Sequence, residues 1–189
     1  MRVMRPVRPS DPQAFARFER DNRDAHEHFN EPYPDAYYSD DGLRDAFAEL
    51  LALNQRGLML TRVLTEDAGT CPGHWLGKGA LFLWEDRAAG PAMLAYQTDH
   101  RHQGQGIATS LMAELIAAAQ ALQLPCVDAV VTGDHHVSLH MLARSGFRCV
   151  AAVEPAVLRR GTVSCLRFRL TLGGALAARH ARAHVLFTP

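Results

Sequence analysis

Residues 92–122 read AMLAYQTDHRHQGQGIATSLMAELIAAAQAL, and the rest of the chain is arranged around them. A short apolar run, Ala92 to Tyr96, ends in a polar turn, and Gly104 and Gly106 open a long helix. Ile107, Leu111, Leu115 and Leu122 fall near one stripe of that helix, with Ala108, Met112, Ile116 and Ala119 beside it, the spacing that buries one face. Glycines let a backbone approach a ligand closely, and the first amides of a helix lack internal partners. With the positive end of the helix dipole added, the turn is predicted to be an anion site suited to pyrophosphate.

Two other phosphate loops do not fit. A Walker loop requires Gly-Lys-Ser/Thr after a glycine and four spacers, and no such string occurs. A dinucleotide fingerprint requires a third glycine where Thr109 stands, and its acidic residue would have to be Asp128, inside the apolar run Cys126 to Val131.

Composition bounds the remaining classes. A chain of 189 residues fits one domain with a substantial core, and 48% hydrophobic with 21% charged residues are globular values. The formal net charge of +0 gives no general attraction to nucleic acid or to an acidic membrane. No apolar run reaches the roughly 18 residues of a membrane span, and the N-terminus lacks a signal-peptide core. Cys71, Cys126, Cys149 and Cys165 have no metal-ligand spacing; the last three lie in apolar runs, where buried reduced thiols and a cytoplasmic location are expected.

In chain order, residues 1–8 form a basic strand or arm. Ser10-Asp11-Pro12-Gln13 reads as a capping box opening a helix buried at Phe15 and Phe18. Residues 22–38, with two prolines and three tyrosines, read as irregular. Ser39 or Asp40 caps a second helix carrying Leu43, Phe47, Leu50 and Leu51 on one face, with Gly57 beyond its end. Strands are expected at 58–65, 74–84 and 92–98, with loops at 66–73 and 85–90. After the long helix come a central strand at 126–131, a helix from Asp134 or His135 to Ser145-Gly146, and strands at 147–153 and 162–172. The fold class is α/β: a mixed central sheet with helices on both faces, one domain over 1–172, and a C-terminal extension, 173–189, of unassigned role.

Two stretches carry a resemblance to a known family. Arg101-x-x-Gly104-x-Gly106-Ile107-Ala108 resembles the coenzyme A loop of the GCN5-related N-acetyltransferase (GNAT) superfamily. DHHVSLHMLARSGF, residues 134–147, is similar to the superfamily's second signature, with Ser138, Leu142, Gly146 and Phe147 in register and His135 where an asparagine is usual. The glycine stretch, NRDAHEHFNEP (22–32) and DAYYSDDG (35–42) most resemble the ribosomal-protein N-alpha-acetyltransferase branch. The resemblance covers roughly residues 5–170 of the chain.

That resemblance implies a GNAT fold, acetyl-CoA as co-substrate without a metal, and direct transfer to an amine. It places the pantetheine beside Tyr96, Gln97 and Thr98, the pyrophosphate on the amides of His102, Gln103, Gly104, Gln105, Gly106, Ile107 and Ala108, and side-chain donors at Arg101 and Thr109. His135 joins the coenzyme site. Ser138 can bond the sulfur or protonate it. Many relatives use a tyrosine where this chain has Leu142, so that acid is missing; a thiol of pKa ~8.5 is nevertheless a tolerable leaving group. Glu85, Asp86, Asp99, Glu154 and several histidines are candidate bases, with Glu154 first because that region faces the acceptor in relatives. An α-amine, with pKa ~8, needs less help than a lysine at ~10.4. His136 and His140 are four apart, but Val137 stands between them where a zincin glutamate would be, and no metal site is expected. The expected partners are acetyl-CoA and an amine acceptor, protein N-terminal by preference, with no nucleic acid or membrane, on a monomer or homodimer. The alternatives are a small-molecule amine acetyltransferase, a catalytically silent acyl-CoA-binding module, and a nucleotide-binding module built on the same glycine turn.

Overall fold

The computed structural model describes residues 1–66, 73–86 and 90–173. Most of the loops expected at 66–73 and 85–90, Cys71, and the extension from residue 174 lie outside them. Strands β1 (Arg2–Pro6), β2 (Met59–Glu66), β3 (His74–Phe82), β4 (Ala92–Thr98), β5 (Cys126–Thr132), β6 (Arg148–Leu158) and β7 (Gly161–Thr171) form one sheet in the order β1-β2-β3-β4-β5-β7-β6. Every neighbouring pair is antiparallel except β4 and β5. The helices are α1 (Pro12–Asp21), α2 (Arg23–Glu27), α3 (Asp40–Gln55), α4 (Ile107–Ala121) and α5 (His136–Arg144). This is the mixed α/β architecture expected.

Two layers of core sandwich the sheet. On one face Phe15, Phe18, Leu43 and Phe47 of α1 and α3 close over Val63 and Trp75. On the other, Met112, Leu115 and Ala119 of α4 and Leu142 of α5 pack on Leu81, Leu94, Val127, Ala129 and Phe168. The stripe read from the sequence is the buried one: Ile107, Leu111 and Leu115 are each at most 2% exposed. Gly77 of β3 sets how close α4 comes, since a Cβ there would lie 2.8 Å from Ile107 Cγ2 and 2.9 Å from Leu111 Cδ1.

Several local expectations need correction. The capping box at Ser10 does not form. Asp11 occupies the N-cap position of α1, but its carboxylate turns back to Arg5 and to the Arg8 amide, 2.8 Å away. Ser39 does cap α3, accepting from the Gly42 amide at 3.0 Å. Residues 22–38 are partly ordered, holding α2 and a 3-10 turn at Asp35–Tyr38. Strand β6 runs past Val153 to Leu158, because an edge strand tolerates Pro155 and the register shifts between Val153 and Ala156. Cys165 is buried as expected, whereas Cys126 is half-buried and Cys149 exposed. Among the described residues no helix is long and apolar enough to cross a membrane.

Gly77→Ala is expected to overpack the α4–β3 contact, at a cost of about 1–3 kcal/mol. Thermal unfolding should move to lower temperature, and α4 should sit off the sheet in a crystal structure of the variant.

Candidate active site

The site begins where β4 and β5 separate. They pair only at Ala92↔Val127 and Met93↔Asp128. Beyond that point the β5-facing backbone of Leu94 to Thr98 has no strand partner, while its other edge stays paired to β3 as far as Gly77↔Thr98. A cleft edged by unpaired peptide groups invites an extended ligand to complete the ladder.

At the mouth of the cleft the chain makes a 3-10 turn, His100–His102, and then passes through Gly104 (φ 73) and Gly106 (φ 77) into α4. Both glycines are left-handed, and nothing lies within 4 Å of where a Cβ would be. The first helical bond of α4 runs from the Ser110 amide to Gly106. The amides of Gln103, Gly104, Gln105, Gly106, Ile107, Ala108 and Thr109 therefore find no protein acceptor among the described residues. A bare run of amides at a helix start fits a pyrophosphate. The His102 amide is not part of it, being spent on Asp99 O at 2.8 Å.

The turn is fixed by a carboxylate rather than by the ligand loop itself. Asp99 is fully buried; its Oδ1 accepts from the Arg101 amide at 2.9 Å and Nε at 3.1 Å, and its Oδ2 from Arg101 Nη2 at 2.8 Å and His74 Nε2 at 2.7 Å. Burial alone would raise this carboxyl, but the Arg101 and His74 bonds outweigh it and hold Asp99 far below the usual carboxylate range. Two expectations are corrected here. The Arg101 guanidinium serves Asp99 and Asp21 (3.0 Å) instead of reaching into the loop. Asp99, held ionised and fully partnered, is unsuited to act as a base. His74, Asp99 and His102 do converge as a metal-type group, but a guanidinium already neutralises its carboxylate. His136 and His140 are exposed on α5.

Deeper in the cleft, the hydroxyl of Tyr96 on β4 lies 2.8 Å from Ser138 Oγ on α5. Tyr96 pairs across to Gly79, where a Cβ would lie 2.9 Å from Leu115 Cδ1, so the missing side chain there makes room for α4. Burial pushes the Tyr96 hydroxyl up, with the Ser138 bond opposing. Ser138 is 7% exposed and Leu142, four residues on, is core at 1%. Position 142 is thus packed, and the phenol that reaches Ser138 is that of Tyr96 on β4. The Thr109 hydroxyl faces Met141 Sδ at 3.7 Å. His135 is the N-cap of α5; its ring stacks on Phe29 at 3.7 Å, and burial lowers its pKa, so it is neutral near pH 7. Glu154 is exposed on β6, in the shifted stretch between Val153 and Ala156, and hydrogen-bonds to neither Ser138 nor Tyr96. Glu85 pairs with Arg56 at 3.0 Å.

Sequence reading missed three contributors. Arg2 of β1 reaches Gln105, placing a cation beside the glycine loop. Glu19 and Glu27 are buried on α1 and α2, the first held by Lys78 and the Tyr37 hydroxyl, the second by Arg23 and Arg159. Their polar, helix-compatible sequence gave no sign of burial, and no local pattern links Arg2 to a loop about a hundred residues away.

Residues 2–148 match the acetyltransferase (GNAT) domain profile. The chain belongs to the GNAT acetyltransferase family. It is accordingly an acetyltransferase with acetyl-CoA as co-substrate. The structure of this acetyltransferase is similar to the ribosomal-protein-S5-alanine acetyltransferase of Vibrio fischeri, at TM-score 0.80 and 16% identity over 91% of this chain and 93% of that one. It is also similar to RimL, a ribosomal L7/L12 alpha-N-protein acetyltransferase in complex with coenzyme A (TM-score 0.77, 16% identity, 90% and 94% covered). A third likeness is to Mycobacterium smegmatis RimJ in complex with CoA-disulfide (TM-score 0.73, 23% identity, 97% and 89% covered). At these identities the likeness establishes a shared fold. No curated protein matches this acetyltransferase in sequence.

Gly104→Glu should abolish acetyl-CoA binding in calorimetric titration while the melting temperature stays within a few degrees, since the side chain enters open space but brings negative charge to an anion site. Asp99 has its pKa lowered by folding, so its stabilisation is complete above its unfolded value of about 3.9 and is lost as pH falls below it. Asp99→Asn should therefore lower stability at pH 7 by about 2 kcal/mol and flatten the acid limb of the stability curve between about pH 4 and 2.

Proposed function

We propose that this acetyltransferase acetylates the N-terminal α-amine of a protein or peptide. One observation carries the reading: beside the bare edge of β4, on the sheet face turned away from α4, Ala95 and Val130 are exposed. An extended chain end can lie on such a face. The fold likeness to ribosomal-protein acetyltransferases supports the same class.

Bound acetyl-CoA supplies an activated acetyl thioester. The unpaired backbone edge of Leu94 to Tyr96 offers amide donors to a developing oxyanion. The amine attacks the carbonyl carbon, the C–S bond breaks, and the thiolate takes the Ser138 hydroxyl proton. Tyr96, hydrogen-bonded to Ser138 at 2.8 Å, replaces that proton from its own hydroxyl and regains one from water. Glu154, solvent-exposed on β6, accepts the amine's proton through water. An acceptor of pKa ~8 is partly neutral already, so a distant solvated carboxylate suffices. The Tyr96–Ser138 pair also argues for turnover over a silent acyl-CoA-binding role.

Ser138→Ala and Tyr96→Phe should each lower kcat about 10–100-fold, with KM for acetyl-CoA within about twofold. Glu154→Gln should cost about tenfold, chiefly below pH 8. Because the Tyr96 pKa lies above its ordinary value of about 10, the phenol keeps its proton while the α-amine loses its own, and kcat/KM should climb through pH 8 without falling before pH 10. Thiol-release assays with N-terminal peptides and with polyamines, amino acids and aminoglycosides test the acceptor. Turnover of the small amines alone would overturn the reading.

A further inference from the structure

On the face of the sheet turned away from α4 and α5, α1 and α3 pack on β3 and β2, the segment from Glu27 to Glu31 bonds to Val157, Arg159 and Arg160 at the β6–β7 hairpin, and Val130 and Arg148 are exposed. The register fixes what this face carries. Asp128 and Val130 of β5 sit opposite Arg169 and Arg167 of β7, and Arg169 sits opposite Arg148 of β6. The alternate residues Val127, Ala129, Val131 and Phe168 point into the core on the other side. The β4–β5 pairing ends at Met93↔Asp128, so Asp128 borders the parting and the Val130–Arg167 pair comes next along it.

The charges on this face do not balance. Arg169 forks onto Asp128, Nε to Oδ1 at 2.7 Å and Nη2 to Oδ2 at 2.8 Å, which satisfies that one carboxylate. Arg148 faces Arg169 directly across the strands, a like-charge pairing that is unfavourable in itself. Neither Arg148 nor Arg167 has a carboxylate partner among the described residues, and the Arg167 Nε is a buried donor without an acceptor. Two uncompensated guanidinium groups beside a catalytic cleft call for carboxylates from outside. Residues 173–189 contain Arg179 and Arg182 and no acidic side chain. A second copy meeting this face about a two-fold axis would bring the same arginines.

We infer that this face holds the acceptor chain behind its N-terminus, and that the chain is acidic there, with carboxylates within its first few residues paired to Arg167 and Arg148. This rests on the acceptor being a protein or peptide N-terminus. Charge sets the direction in which the chain is laid down, and Asp128 keeps Arg169 from competing for the same carboxylates.

The test is a peptide series with one fixed first residue and acidic, neutral or basic residues at positions two to five, assayed by thiol release with the full chain. Acidic peptides should exceed neutral ones in kcat/KM by about fivefold, the size expected of two solvent-accessible ion pairs, and the margin should shrink as salt rises. The doubly reversed variant Arg148→Glu, Arg167→Glu should reverse the preference toward basic peptides, a gain that misfolding cannot produce. Acetyl-CoA titration of that variant confirms an intact cleft. Equal turnover of all peptides, a preference that survives the reversal, or a change of oligomeric state on reversal would each overturn the inference while leaving the acceptor class standing. Turnover of small amines with none of the peptides would instead remove the acceptor class, and this inference with it.

Discussion

Two residue pairs, Ala92↔Val127 and Met93↔Asp128, join the two halves of a seven-stranded sheet. Every other strand contact is longer. A parallel ladder that stops after two pairs leaves the rest of β4 with one satisfied edge and one bare edge, a costly arrangement unless something binds there. The halves are kept together by the layer beneath: α4 packs on β3 and β4, α5 shares its core, and Leu115, Ala119 and Leu142 are buried against both sides of the parting. The cleft is thus bought with helix packing, and what it exposes is backbone.

The coenzyme loop depends on the same parting. Having left β5, the end of β4 is free to turn, and Asp99 sets the turn by gathering Arg101 and His74. The end of α1 is tied to it as well, through Asp21 to Arg101 and through the buried Asn22, whose Oδ1 accepts from the His100 amide at 2.7 Å. A single buried carboxylate therefore aligns the glycine loop, the strand end and the end of α1. Because it is matched by a guanidinium, the loop carries no stray negative charge toward an anionic ligand.

Position 142 brings no hydroxyl to the cleft. Leucine there fills the core, and the hydroxyl pair is assembled instead from a strand and a helix 42 residues apart in sequence.

What the sequence by itself determined was everything local or periodic. The apolar stripe of α4, the strand-like alternation, the cap at Ser39 and the glycine pair are written in spacing, and positive φ at Gly104 and Gly106 follows from their place in the turn. The fold class and the left-handed glycine turn ahead of α4 were legible for that reason. The tertiary structure decided how polar side chains pair. Arg101 lies in the loop motif, yet its charge goes to Asp99 and Asp21; Tyr96 meets Ser138; Arg2 reaches Gln105; Glu19 and Glu27 are buried by cations from β3 and the β6–β7 turn. Pairing of this kind follows from the meeting of chain segments dozens of residues apart, and electrostatic energy depends on distance and burial rather than on order along the chain.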